Sequence, residues 1–125
     1  MPLIPATEAR TVHLHGTVFT CLAAPSRGAR ETNVWRVHLP AGLPGAEHTL
    51  DHEEVLVALV GRAQATIAGE TVVLSAGDGL IVPAHAPFSL ATPFDESFEA
   101  VAVLPVGALA QMTAGGEPFV PPCAQ

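Results

Sequence analysis

At 125 residues the chain has room for one domain and little for a second. Hydrophobic residues make up 49% and charged residues 14%, a balance that supports a buried core and argues against disorder. Formal net charge is −7 and the five basic residues are all Arg, so no basic stripe can hold a phosphate backbone or an anionic membrane surface; nucleic acid and membrane are excluded as expected partners.

In chain order, the opening MPLIPATEAR lacks the basic start and apolar run of a signal peptide. No stretch approaches the ~18 apolar residues that span a bilayer, and the expectation is a cytoplasmic protein. Short β-rich runs follow at residues 11–21, 32–39, 54–60, 63–68, 70–74, 80–82, 87–91 and 97–104. Turn signals separate them, among them PAGLPG, AGE, AGDG and PAHAP, and eleven Gly and twelve Pro punctuate the whole chain. Ala68, Gly69 and Glu70 read as a tight hairpin turn. Apolar spacing near 3.6 residues is absent except for a single possible turn at 106–112. Regular short strands between Gly/Pro turns mean an all-β sandwich or barrel.

Domain limits follow from the same pattern. Residues 1–105 form the β domain, and residues 106–125 are a tail that packs on it or extends from it, because TAGGEPFVPPCAQ is too rich in Gly and Pro for regular structure. Cys21 and Cys123 stand at opposite ends with no CxxC and no framework of pairs, so both are expected as free thiols, Cys21 packed in the core.

Chemistry concentrates in EHTLDHEE, residues 47–54, which holds two histidines and four acids. Imidazole and carboxylate are the ligands that transition metals accept. Yet Leu50 follows His48 by two residues, on the same face of a strand, and is aliphatic.

These residues carry a resemblance to the cupin superfamily, specifically the small single-domain cupins. The first motif of that family, G-x5-H-x-H-x3-E-x6-G, is met by Gly42, His48, Glu54 and Gly61, with Leu50 in the second histidine slot. The second motif, G-x5-P-x-G-x2-H-x3-N, is met by Gly77 and Pro83, with His85 in the glycine slot, Phe88 in the histidine slot and Thr92 in the asparagine slot. The motif region is 42–92. The resemblance implies a double-stranded β-helix (jelly-roll) barrel of antiparallel strands, and a homodimer. It also implies that His48 and Glu54 stand at metal-ligand positions, while Leu50 and Phe88 fill the two others with apolar bulk.

A transition metal needs three or four protein ligands, and the motifs retain two. If a divalent metal is bound, His48, Glu54 and His52 are the expected ligands, His52 being in the loop before Glu54. The expected pocket lining is Leu50, His52, His85 and Phe88. Without metal, His48 and Glu54 would form a hydrogen-bonded acid/base pair able to move protons. His13 and His15 read as surface or subunit-contact residues, His38 as structural, and Asp51 and Glu53 as solvated acids. Three functions stay open: a small-molecule binder with an incomplete metal site and possible proton-transfer chemistry; a metal-dependent dioxygenase or isomerase with a rebuilt site; and a non-catalytic sensor or structural cupin.

Overall fold

The structure, a computed structural model, describes residues 2–125. Its eleven strands are β1 (Arg10–Leu14), β2 (Thr17–Ala23), β3 (Thr32–Leu39), β4 (His48–Leu50), β5 (Glu54–Val60), β6 (Arg62–Ile67), β7 (Glu70–Ser75), β8 (Gly79–Val82), β9 (Phe88–Ala91), β10 (Phe98–Pro105) and β11 (Ala110–Met112). They pair antiparallel in two sheets, β1-β2-β3-β10-β5-β8 and β11-β4-β9-β6-β7. The two hydrogen-bonded ladders face each other and do not join into one closed barrel. The all-β jelly-roll architecture expected from the sequence is the one observed.

Strand alternation places the core between the sheets. In β3, Asn33, Trp35, Val37 and Leu39 are buried while Arg36 is exposed; in β10, Phe98, Ala100, Ala102 and Leu104 are buried. The opposite sheet answers with Leu50, Ala63, Ala65, Leu74 and Phe88. Small alanines on β6 and β10 let aromatic and leucine side chains from the facing sheet enter, which is how a sandwich core reaches high packing density.

The run at 11–21 is two strands, not one. His15 (φ +51°) and Gly16 (φ +80°) make a two-residue hairpin loop between Leu14 and Thr17. Positive φ at both positions is the geometry that matches the twist of an antiparallel pair. Ala68 (φ +48°) and Gly69 (φ +85°) do the same between β6 and β7, as the sequence indicated. The possible helical turn at 106–112 is a correction: Ala110–Met112 is strand β11, paired with β4.

The C-terminal segment is also more ordered than its composition suggests. Phe119 bridges Ala110 with two backbone hydrogen bonds of 2.8 Å, and a 3-10 turn at Pro122–Ala124 buries Cys123 and Ala124. Free thiols were expected, and the structure corrects this: Cys21 and Cys123 form a disulfide with a Cα–Cα distance of 4.8 Å. Separation along the chain misleads here, because the last residues return to β2. In a chain-entropy account, closing a loop of 102 residues constrains the unfolded state by about 4–5 kcal/mol.

Candidate functional site

Between the sheets lies a cavity of about 150 Å³, a volume that accommodates a single aromatic ring. His48 and Leu50 reach it from β4, Glu54 from the start of β5, and Phe88 from β9. The spacing explains the convergence. Residues 48 and 50 share a strand face, and Phe88 is the register partner of His48 across β4 and β9. Leu50 and Phe88 are buried and occupy the inner wall.

Backbone contacts between the motifs hold this wall in place. His85 N–H donates to Leu50 O at 2.7 Å, docking the turn after β8 onto the end of β4. That turn puts residue 85 at φ +68°, in the left-handed region, so the glycine slot of the motif is a conformational requirement that His85 meets under strain. Thr92, fully buried, ties the other end. Its hydroxyl donates to Pro40 O (2.6 Å) and accepts from Leu43 N–H (2.9 Å), while its backbone accepts from Gly42 N–H (2.7 Å). Gly61 closes the first motif at φ +74°, where a side chain would run into Ser97 O.

The two polar residues of the wall differ in how they are held. His48 Nδ1 lies 3.0 Å from Ala46 O, an acceptor, so Nδ1 carries the hydrogen in that contact and Nε2 is left as the acceptor nitrogen of the uncharged ring. The ring also packs edge-on against Phe88, with centroids 5.6 Å apart. Glu54 is 5% exposed, and among the described residues no donor reaches its carboxyl. Burial alone pushes its pKa from 4.5 to about 7. The expected hydrogen bond between His48 and Glu54 is not formed; each faces the cavity separately.

His52 and His85 do not line the cavity, a further correction. His52 is exposed and its Nδ1 sits 2.7 Å from Asp51 Oδ1, outside the sheets. His85 is exposed on its turn. Asp51, read as a solvated acid, also accepts from Leu109 N–H at 2.7 Å and so clamps the loop before β5 to the loop before β11. His38 pairs with Glu99 at 3.7 Å on the outer face. His15, by contrast, does line the cavity, at the mouth. The clue in the sequence is the pair His15-Gly16 in the middle of an alternating run, which marks a hairpin turn and takes His15 off the face it would share with His13. Phe119, Pro121 and Pro122 complete the wall from the C-terminal segment, and a Gly/Pro-rich tail offers no periodicity from which that position could be read.

The donor set does not fit a transition metal. Among the described residues no group of three His, Cys, Asp or Glu side chains comes together. His48 and Glu54 supply two donors, and Leu50 and Phe88 close off the space beside them with apolar atoms. Charge is equally sparse: among the described residues no Arg lines the cavity, and its polar side-chain groups come from His15, Thr17, His48, Glu54 and the indole N–H of Trp35.

Two sheets, a motif-built wall and a cavity between them define a cupin, and comparison with known proteins agrees. The Cupin domain family matches residues 35–104, and the chain belongs to that family. No curated protein shows a significant sequence match. Among solved structures, the polyketide cyclase RemF from Streptomyces resistomycificus superposes with a TM-score of 0.79 at 17% identity, over 94% of this chain and 88% of that one. An RmlC-like cupin from Shewanella frigidimarina gives 0.71 at 18% identity, over 82% and 87%. The DMSP lyase DddQ from Ruegeria pomeroyi gives 0.64 at 26% identity, over 71% of this chain and 47% of that one.

Proposed function

We propose that the protein binds a small, uncharged organic molecule in the cavity, and that Glu54 and His48 exchange protons with it. The observation that carries this reading is the Glu54 carboxyl, buried in an apolar cavity without a protein partner. A carboxyl that faces cavity space with no protein donor is free to pair with a ligand, and a carboxyl whose pKa is raised by burial in a cleft marks a candidate site. Near neutral pH a large share of Glu54 is protonated. It can then donate its O–H to a ligand carbonyl, while His48 Nε2, held by the Nδ1 contact to Ala46, accepts a proton from an adjacent C–H or O–H. The products are an enol on the ligand, a Glu54 carboxylate and a His48 imidazolium; reversal returns both protons. An apolar wall with no Arg disfavours anionic ligands, so neutral carbonyl compounds and phenols are the favoured class.

The test is α-deuterium exchange of phenylacetone in D2O, followed by NMR. Acceleration lost by ~10²-fold or more in Glu54→Gln and in His48→Ala is expected for acid–base catalysis. Exchange no faster than in buffer would remove the catalytic part. Saturable binding without exchange would leave a ligand-binding cupin. Metal content of untagged protein is expected well below stoichiometric; a stoichiometric metal lost in His48→Ala would revive the dioxygenase or isomerase reading.

We also infer that the chain pairs with a second copy through the outer face of the first sheet. In register across β3, β10, β5 and β8 lie Val34, Val103, Val55 and Ile81, and Val57 and Leu59 extend this apolar strip. Ile81 is 62% exposed and Leu59 43%, more apolar surface than a free sheet face usually carries. Light scattering is expected to give a dimer that Ile81→Glu reduces to monomer; a monomeric native protein refutes it.

A further inference from the structure

We propose that the Cys21–Cys123 disulfide is a redox latch on the cavity: it pins a strap, residues 119–125, that forms part of the cavity wall, and its reduction by a dithiol frees the strap and opens the site. The inference rests on the cavity being the ligand site proposed above, and it concerns access to that site.

The strap enters the wall through Phe119, Pro121 and Pro122. What precedes it is built to move, since residues 113–118 are all exposed and include Gly115 (φ +128°) and Gly116 (φ +108°). Glycine adopts such angles without steric cost and gives the segment few fixed contacts. Apart from the disulfide, the strap is held by few polar contacts. Phe119 exchanges two backbone hydrogen bonds with Ala110, Arg10 Nη2 donates to Pro122 O at 2.7 Å, and Ser26 N–H donates to Gln125 O at 3.0 Å. The one covalent tie beyond the peptide backbone is the bond from Cys123 to Cys21 on β2.

The two sulfur-bearing residues are not equally approachable. Cys21, itself buried at 7% exposure, borders a surface depression of about 270 Å³ together with Arg10, Ala24, Ser26 and Arg27, whereas Cys123 is 1% exposed and does not border it. Two of the five Arg of an otherwise acidic chain therefore flank the approach to Cys21. Positive charge there favours an incoming thiolate and stabilises Cys21 when it leaves as a thiolate in the second exchange. One thiolate of the dithiol forms a bond to Cys21 Sγ, the Cys21–Cys123 bond breaks, and its electron pair leaves on Cys123 Sγ, which takes a proton from water. The second thiol of the reductant, as thiolate, then displaces Cys21 as a thiolate that is protonated in turn. Net, the disulfide gains two electrons and two protons, and the dithiol becomes its own disulfide.

The experiment compares the oxidised full-length protein with the same protein in dithiothreitol, by hydrogen exchange read at the amides of Phe119 and Ala124 and, as a control, at Ala102 in β10. The expected result is exchange at least roughly ten-fold faster at both strap amides on reduction, with Ala102 still protected. Cys123→Ser, with no reductant, is expected to reproduce it. Strap exchange unchanged on reduction, or Ala102 deprotected together with the strap, overturns the latch; the second outcome would make the bond a staple for the whole fold. Binding of 4-fluorophenol, followed by 19F line shape, separates this from the ligand-site reading. Faster entry in the reduced protein supports both. A freed strap with no 4-fluorophenol bound in either state supports the latch and counts against the cavity as ligand site.

Discussion

Two acid–histidine neighbourhoods lie within seven residues of each other, and they have opposite physics. His52 and Asp51 sit outside the sheets, 2.7 Å apart, with about half and a third of their side chains in water. His48 and Glu54 sit between the sheets, separately held, with Glu54 nearly sealed off. The outer acid is pushed below its ordinary pKa of 3.8, first by its hydrogen bond with His52 and then by the Leu109 N–H. The inner acid is pushed from 4.5 up to about 7 by desolvation. Composition is the same in both places. Burial and partners decide which pair is a clamp and which is a reactive site.

The largest expected effect breaks the inner half of the comparison. In the unfolded chain Glu54 ionises near 4.5, and in the folded chain near 7. Between those values the folded state holds the extra proton, so this group's contribution to stability falls as pH rises from 4.5 to 7 and is level above that. At about 1.4 kcal/mol per pH unit of displacement, the native protein should lose about 3 kcal/mol of stability across the window. Urea unfolding of Glu54→Gln at pH 4.5 and pH 8 is the check. The variant is expected to lack this loss, and a variant that shows the native slope would mean Glu54 is ionised inside the fold.

The outer pair should respond with the opposite sign. Asp51 contributes stability that is present above its ordinary pKa and lost as pH falls below 3.8 toward the depressed folded value. Its side chain is 38% exposed, so solvent screening discounts the charge part heavily. What remains is the bond to Leu109 N–H, and Asp51→Ala is expected to cost about 1 kcal/mol at pH 7. Amide exchange at Leu109 should quicken in that variant while the cavity's ligand affinity holds. If affinity falls too, the two neighbourhoods are coupled and the comparison fails.

The sequence carried the inner pair more clearly than the outer one. Period-two alternation sets which residues of β3, β5 and β10 face inward, and the spacing of Gly42, His48, Glu54, Pro83 and Phe88 brings the wall together. Those signals are local or come from fixed offsets along strands, so a reader of the chain can follow them. The same spacing was silent on whether His48 and Glu54 touch, because side-chain partners depend on backbone acceptors such as Ala46 O, which carry no residue-type signature. The side to which His52 points is hidden for a related reason. It lies in the bend between β4 and β5, where alternation no longer says which way a side chain points. The disulfide and the strap were hidden by distance along the chain: 102 residues separate two cysteines whose Cα atoms are 4.8 Å apart.

A smaller effect sharpens the role of the turn that docks onto the wall. His85 adopts φ +68°, a conformation costly for any residue with a β-carbon and easy for glycine. The imidazole makes no hydrogen bond among the described residues, and the contact to Leu50 O uses the backbone. His85→Gly should therefore stabilise the protein by up to about 1 kcal/mol, with ligand affinity unchanged. Thermal unfolding measures the first and 4-fluorophenol titration the second. A destabilised variant would show that the His85 side chain holds something beyond the turn.

The smallest expected effect belongs to His52, and it tests the comparison most directly because the sequence favoured this residue as a third metal ligand. Removing it deletes one exposed contact to Asp51, the kind of pair whose net value in water is about 0–1 kcal/mol. Asp51 keeps its hydrogen bond from Leu109 N–H, so the clamp between the loops survives. Nothing of His52 borders the cavity, so neither the Glu54 pKa nor the approach of a ligand should notice its loss. His52→Ala is thus expected to shift stability by less than about 0.5 kcal/mol and to leave phenylacetone exchange at the native rate. His48→Ala, four residues away, is expected to abolish that exchange. A His52→Ala variant as impaired as His48→Ala would require the loop at residues 51–53 to fold inward when ligand or metal binds, and the division between an outer clamp and an inner site would have to be given up.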